Sequence, residues 1–411
     1  MVIGDSELQR LSELVSESLP QYLDDLRALT SIDCGTYTPE GVDEVGRWLE
    51  AQLRDLGAAV ERIPGDRFAD TVVGRLAGAP EGAALLLVGH MDTVFPAGTV
   101  ADRPFRTDHA RAYAPGVSDM KCGLIAGVYA LRALRALAAE SSAAEQASAQ
   151  PTAWLPFRRL AYVGNPDEEV GSPESTPIIR REAEQSDLAL VLESARANGD
   201  IVSARKGVLD IRLVVRGRAA HAGVEPEKGR SAVVEAAHKT LALAGLNGRW
   251  PGVTVNVGVV AGGTRPNVVA EECTLHLDLR ATTRAHLEQA IGEIERIAGS
   301  STVPDVSCEV IRGNGFAPME RSGGTAELAQ RAIELAGRLG FDLRDVATGG
   351  ASDANTIAGL DVPVLDGLGP IGGNDHAPGE YLELDSIVPR VALLAALMLD
   401  LGRRGAKPPS A

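Results

Sequence analysis

The sequence predicts an α/β protein: a mixed sheet flanked by helices, with a second, smaller α/β domain inserted into it. Three observations carry this expectation. Short apolar segments alternate with stretches of helical periodicity over most of the chain. The interval 207–314 follows a different order of strands and helices, and 411 residues are more than one hydrophobic core usually serves.

From the N-terminus, Leu8, Leu11, Val15, Leu19, Tyr22, Leu23 and Leu26 recur at helical spacing and predict one or two opening helices. Gly41 to Leu56 repeats the pattern. Strands are expected at Asp70–Leu76, Ala84–Val88, Leu160–Val163 and Leu188–Leu192, with helical stretches such as Leu124–Leu137 between them. In open α/β sheets of this kind ligands gather at strand ends. Ala138–Pro151, rich in Ala, Ser, Glu and Gln, reads as a helix extension fraying into a surface loop, and Lys407–Ala411 as a disordered tail.

Inside the interval 207–314 the expected order is strand Val208–Val215, helix Arg230–Leu243, strands Val253–Val260 and Glu271–Arg280, helix Arg284–Ala298 and strand Asp305–Ile311. This is β-α-β-β-α-β, a split βαβ sandwich. Cys273, Leu275, Leu277 and Leu279 alternate with Thr274, His276, Asp278 and Arg280, so one face of that strand is packed and the other free. Thr325–Leu339 resumes the first pattern. The domains are therefore 1–206 with 315–411, and 207–314 inserted.

A chain 45% hydrophobic and 23% charged is an ordinary globular composition. The net charge of −16 argues against nucleic acid and anionic membrane surfaces as partners. No apolar run reads as long enough to span a bilayer, and the first residues lack a basic stretch followed by an apolar one. Cys34, Cys122, Cys273 and Cys308 form no Cys-x-x-Cys pair, which favours a reducing cytoplasm and disfavours a zinc–thiolate site.

The chemistry lies in five short segments. His90 closes the apolar run Leu85–Gly89 and is followed by Met91-Asp92; Asp119 stands in Gly116-Val117-Ser118-Asp119-Met120-Lys121. Glu168 and Glu169 follow Asn165-Pro166-Asp167, Glu193 ends Leu188–Leu192, and His376 lies in Asn374–Glu380. Taken singly, these are a strand-end histidine, a helix N-cap and a solvated acidic turn. Together, two imidazoles and several carboxylates are the ligand set of a hydrolytic zinc site, with enough donors for two adjacent ions. Asp92 is placed to accept a hydrogen bond from the second ring nitrogen of His90. Ser118 is expected to cap the next helix and leave Asp119 for metal. Glu168 and Glu169, if extended, point opposite ways, so one is a ligand and the other a general base.

In this order His90-x-Asp92, Ser118–Lys121, Asp167-Glu168-Glu169-x-Gly171-Ser172, Glu193-Ser194, His221-Ala222-Gly223 and His376 resemble the M20 family of metallopeptidases and amidohydrolases. Glu193 and Gly350–Ala354 are most similar to its glutamate carboxypeptidase (carboxypeptidase G) branch. The resemblance covers essentially the whole chain. It implies a zinc-exopeptidase-like catalytic domain and a ferredoxin-like lid and dimerisation domain. It implies two zinc ions per subunit, with Co2+ or Mn2+ as substitutes, bridged by Asp119. His90 and Glu193 would complete one, Glu169 and His376 the other.

By the same resemblance Glu168 is the general base, Asp92 orients His90, a cis peptide follows Asp119, and His221 helps stabilise the oxyanion in the partner subunit's site. Asn267 and Arg280 lie where lid residues contact substrate, and hinges are expected near Ala204–Gly207 and Arg312–Phe316. The implied reaction is exo-acting hydrolysis of a peptide or N-acyl amino acid next to a free carboxylate, by a homodimer joined through the lid. A deacylase of the acetylornithine or succinyl-diaminopimelate kind is the alternative, and a catalytically silent binding protein the rival from another class.

Two departures stand out. Asn314, in Arg312-Gly313-Asn314-Gly315-Phe316, occupies the place of the branch's carboxylate-gripping arginine, leaving Arg312 or Arg265 to substitute and glutamate preference open. Cys122 replaces a usual glycine and reads as a small packed residue. His109, His238, His276 and His286 read as solvated, and neither a Gly-x-Ser-x-Gly elbow nor a Walker-type loop occurs.

Overall fold

The computed structural model describes residues 3–142 and 154–405. Of the stretch Ala138–Pro151, expected to fray from a helix into a loop, the residues to Ser142 are helical and the rest, like the tail from 407, lies outside the described residues. Among the described residues the chain divides into two compact units, one within Met1–Ser203, Arg321–Ala347 and Ser352–Ala411, the other Ala204–Glu320 with Thr348–Ala351. The return to the second unit at Thr348–Ala351 had no signal in the sequence pattern.

The first unit is built on a six-stranded sheet in the order Ala59–Ile63, Thr71–Leu76, Arg159–Asn165, Ala84–His90, Leu188–Val191, Val364–Leu365. The last four strands are parallel and the first two antiparallel, giving the expected mixed sheet. Ala84 to Val88 are fully buried, as strands covered on both faces must be. Helices Asp5–Leu29, Pro39–Asp55, Cys122–Ser142, Gly323–Arg338 and Ile387–Arg404 contribute Leu11, Leu26, Leu49, Leu124, Ala332 and Val391 to one continuous core. The opening helix is single and runs through Pro20. The stretch Val117–Ser141 is, by length and composition, apolar enough to cross a membrane, which the sequence reading had denied. Most of it is buried, with Leu124, Ile125 and Val128 inaccessible, so its apolarity is that of a core helix.

A second sheet holds Gly372–Gly373, Tyr381–Glu383, Arg111–Tyr113 and Arg106–Thr107 in that order. Its strands are two or three residues long, too short for any periodicity in sequence. The antiparallel pairing of the first two closes residues 374–380 into a hairpin that carries His376.

The second unit is a four-stranded antiparallel sheet ordered Thr254–Gly262, Glu272–Ala281, Gly207–Arg216, Ser307–Phe316. Helices Ala232–Ala244 and Arg284–Gly299 bury one face through Leu213, Leu275, Leu279, Ala236 and Ile294. Cys273, Leu275, Leu277 and Leu279 are buried while His276 is exposed, the alternation that the sequence showed.

Candidate metal centre

The parallel strands end together, and their ends carry the site. His90 is the last residue of its strand, Glu168 and Glu169 follow the strand ending at Asn165, and Glu193 follows the strand ending at Val191. Asp119 is brought to them by close packing: a Cβ at Gly123 would stand 1.7 Å from the Leu192 carbonyl oxygen, so only glycine lets this helix start against the Glu193 strand. His376 and Asn374 adopt left-handed backbone conformations (φ 62° and 57°), uncommon for non-glycine residues, at the hairpin tip.

His90 Nε2 lies 2.8 Å from Asp119 Oδ1 and 3.7 Å from Glu193 Oε1. His376 Nε2 lies 3.0 Å from Asp119 Oδ2 and 3.2 Å from Glu169 Oε2. Two donor groups result, His90–Asp119–Glu193 and Asp119–Glu169–His376, each with its ligand atoms within 4.8 Å of one another and sharing Asp119. The peptide bond after Asp119 is cis. The first group closes round a fully buried imidazole, whereas the His376 side chain is 54% exposed, which leaves the second group open to a small molecule.

His90 Nδ1 is 3.1 Å from the Asp92 carbonyl and 3.3 Å from its carboxylate. Nδ1 therefore carries the proton, and the Nε2 lone pair faces an Asp119 oxygen. Two acceptors at that separation need a proton or a metal cation between them. Burial alone would lower the His90 pKa, yet Asp119, Asp92 and Glu193 hold it well above the ordinary value. At His376, hydrogen bonds to Asp119 and Glu169 push the pKa up to about 11, against burial. Burial, then the negative charges of Glu193, Asp353 and Glu169, raise Glu168 well above a normal carboxyl, with His90 pulling the other way. Burial likewise raises Glu169, whose Oε1 is buried without a hydrogen-bond partner. This surplus of buried negative charge, an orphaned oxygen and an all-imidazole and carboxylate donor set fit divalent cations such as zinc.

The backbone departs from the sequence reading in two places. Glu168–Val170 form a 3₁₀ turn, so the two glutamates diverge by helical rotation and not by strand alternation. Ser118 makes no side-chain cap for the helix. The N–H groups of Gly116, Ser118 and Asp119 donate instead to the Glu380 carboxylate, at 2.9, 2.8 and 3.0 Å. Two carboxylate oxygens can take three amides where a hydroxyl cannot. Burial pushes Glu380 up to about 7, against those bonds. Cys122 is a packed residue, its thiol donating to the Ser118 carbonyl and its pKa raised by burial.

Glu380, Thr36 and Asp353 went unassigned in the sequence reading. Thr36 Oγ1 donates to Asp92 Oδ2 at 2.6 Å, and the Glu168 and Glu169 N–H groups reach the same carboxylate at 3.3 Å. All three act through folding contacts distant in sequence, which no local spacing announces.

In the second unit, His221 and Asn267 lie together on exposed loops: His221 bridges Val268, and the Ala222 N–H donates to the Asn267 carbonyl at 3.0 Å. The Gly223 N–H donates to His221 Nδ1 at 3.2 Å, so the neutral ring keeps its proton on Nε2. Arg280 binds Asp278 at 3.0 Å and the Gly349 carbonyl at 2.8 Å. Arg312 is ion-paired with Glu295 of the helix Arg284–Gly299. Asn314 falls in the register shift between Arg312 and Gly315, and Arg265 is exposed near Asn267.

A mixed-sheet unit with two candidate cation-binding groups that share a carboxylate, in a chain that also carries a ferredoxin-like unit, defines a metal-dependent hydrolase. The chain belongs to peptidase family M20/M25/M40, whose model matches residues 86–400. It is 30% identical to carboxypeptidase G2 of a Pseudomonas species over 400 residues, 95% of this chain and 92% of that protein. It is 26% identical to succinyl-diaminopimelate desuccinylase of Paracidovorax citrulli over 365 residues, 83% and 88% of the two. Among solved structures, aminopeptidase PepT of Bacillus cereus shares the fold with TM-score 0.75 at 22% identity, covering 93% and 98% of the chains. An M20 family metallo-carboxypeptidase of Sulfolobus solfataricus does so with TM-score 0.70 at 16% identity, covering 93% and 99%.

Proposed function

We propose that this protein is a dinuclear zinc hydrolase that cleaves a peptide or N-acyl amide bond next to a free carboxylate, in the manner of a carboxypeptidase. The observation that carries it is the pair of donor groups sharing Asp119, with Glu168 adjacent to the ligand Glu169. Bound divalent cations would supply Lewis acidity and a water acidic enough to attack at neutral pH. His90 and Glu193 would hold one ion, Glu169 and His376 the other, and Asp92 keeps His90 in the tautomer that presents Nε2.

Glu168 takes the proton of the attacking water and returns it to the leaving nitrogen. His221, whose neutral ring would carry its proton on Nε2, is the candidate donor to the oxyanion in the partner subunit's site. Asn267 and Arg280 are the candidate substrate contacts. Arg312 is a weaker one, because Glu295 engages its guanidinium.

Homodimerisation through the inserted unit is part of this proposal. Strand Thr254–Gly262 is an edge strand with exposed Val259 (52%) and Val260 (50%), and Leu241 (73%) is exposed on helix Ala232–Ala244. Sedimentation should show a dimer that Leu241→Glu weakens; a monomeric wild type would count against it. The carboxypeptidase G2 match favours release of a carboxylate-bearing amino acid, while the desuccinylase match keeps an N-acyl amino acid deacylase as second reading. The test is amine release from N-acyl amino acids and dipeptides, each beside its C-terminal amide. Turnover of the free acids alone is expected; equal turnover of the amides would overturn the carboxylate requirement.

A further inference from the structure

Below the Glu168–Glu169 turn lies a buried polar network that the chemistry above does not use. Asp353, 2% exposed, begins the helix Asp353–Ala358. Its Oδ1 accepts the Ser172 hydroxyl at 2.6 Å and its Oδ2 accepts Asn165 Nδ2 at 2.6 Å. Asn165 Nδ2 also donates to Ser172 Oγ at 2.8 Å, so that hydroxyl both gives and receives. On its other side Asn165 Oδ1 accepts the Asp167 N–H at 2.9 Å and lies 2.8 Å from Ser175 Oγ. Asp167 Oδ2 takes the Glu174 N–H at 2.7 Å, and the Ser172 N–H returns to the Asp167 carbonyl at 2.8 Å. Asn165, Asp167, Ser172 and Ser175 are all fully buried. The strand end and the turn are thus closed on each other, and Asp353 is the member that comes from a distant part of the chain.

We propose that Asp353 is a positioning residue for the metal centre: by binding Asn165 and Ser172 it holds the turn that presents Glu168 and Glu169. This inference rests on the metal-centre reading above. A carboxylate suits the place because both neighbours arrive as donors and it alone offers an acceptor to each. An amide there would turn one acceptor into a donor facing another donor, and an alanine would remove an acceptor from both the Asn165 amide and the Ser172 hydroxyl in a buried place. Burial pushes Asp353 up to about 6, with Ser172 and Asn165 opposing, as for a carboxylate held by neutral donors. Asp353 acts on the Glu168–Glu169 turn through both Asn165 and Ser172, but on His90 only through Asn165, its cross-strand neighbour, so its loss should fall more heavily on the Glu169 cation group.

The test is calorimetric titration of metal-stripped wild type, Asp353→Asn and Ser172→Ala with zinc chloride, beside melting temperatures and steady-state kinetics. Leu328→Ala, in the core away from the site, serves as a purely structural control. Wild type should show two binding events. Asp353→Asn should weaken one of them by about 10–100-fold and the other by less than about 3-fold, as removal of a ligand's supporting partner does. Its kcat should fall on the order of 10–100-fold with KM within about 3-fold. Ser172→Ala keeps the carboxylate and removes one donor, so it should move the same event by less, and it carries the test should Asp353→Asn fail to fold. Unchanged zinc affinities with a lowered melting temperature, as in the control, would overturn the proposal, and so would equal loss at both sites. A wild type without two zinc-binding events would instead sink the metal-centre reading.

Discussion

The two units of this chain treat their polar residues in opposite ways. In the mixed-sheet unit His90, Asp92 and Asn165 are essentially inaccessible, and each is held by two or more partners. In the inserted unit His221 and Asn267 are exposed on loops, and Arg280 and Arg312 spend their guanidinium groups on Asp278 and Glu295. Burial makes geometry rigid and substitution costly, whereas exposed side chains can be exchanged with little effect on folding. On the proposed function, the first unit would fix the bond-breaking chemistry and the second would set substrate preference.

That contrast can be strained at several points. His221→Ala should cost about 10²-fold or more in kcat, as loss of an oxyanion donor does, with KM and zinc content little changed. A large KM effect with kcat intact would make His221 a binding residue only.

A smaller effect concerns the metal-free protein. His376, Asp353 and Glu380 have folded pKa values raised to about 11, 6 and 7, and Glu168 and Glu169 are raised in the same direction. Groups raised on folding contribute stability that is full below their unfolded values and is lost as pH rises through the folded ones. Metal-stripped protein should therefore melt at progressively lower temperature from about pH 4 to pH 7 through the carboxyl groups, and further above pH 7 through His376, and saturating zinc should restore most of the loss at pH 8 by replacing protons with cations. Thermal scans at several pH values check this; a stripped protein that is more stable at pH 8 than at pH 5 would contradict the charge surplus.

The smallest effect is expected at Arg312. Its pair with Glu295 is exposed, so Arg312→Ala should change stability by less than about 1 kcal/mol and kcat/KM by less than about 2-fold. A drop of tenfold or more would mean that Arg312 leaves Glu295 to grip substrate.

The same division decided what was legible in the sequence. Long strands and helices, the alternation in Glu272–Ala281, and His90, Glu193 and Glu169 of the two candidate cation groups stand in local patterns: an apolar run that ends in a polar residue, or a carboxylate pair after a strand; Asp119 and His376 stand in neither. Glu380 and Asp353 lie in segments that the sequence singles out, Asn374–Glu380 and Gly350–Ala354, but their roles have no local signal, since each works by closing a contact with residues far away in sequence, Asp119 for one and Asn165 for the other. The small sheet that carries the His376 hairpin was invisible because two-residue strands have no period. The helix from Cys122 is expected from its periodicity, but its apolar length exceeds what the sequence pattern suggests, and its burial makes it a core helix.

The most direct measurement is amine release by zinc-loaded wild type and Glu168→Gln on the same N-acyl amino acid panel, with zinc content determined for both. Two zinc ions are expected in each protein, with turnover in the wild type and a loss on the order of 10²–10⁴-fold in the variant. Two bound ions with no turnover on any substrate, or a variant as active as the wild type, would contradict the proposed function.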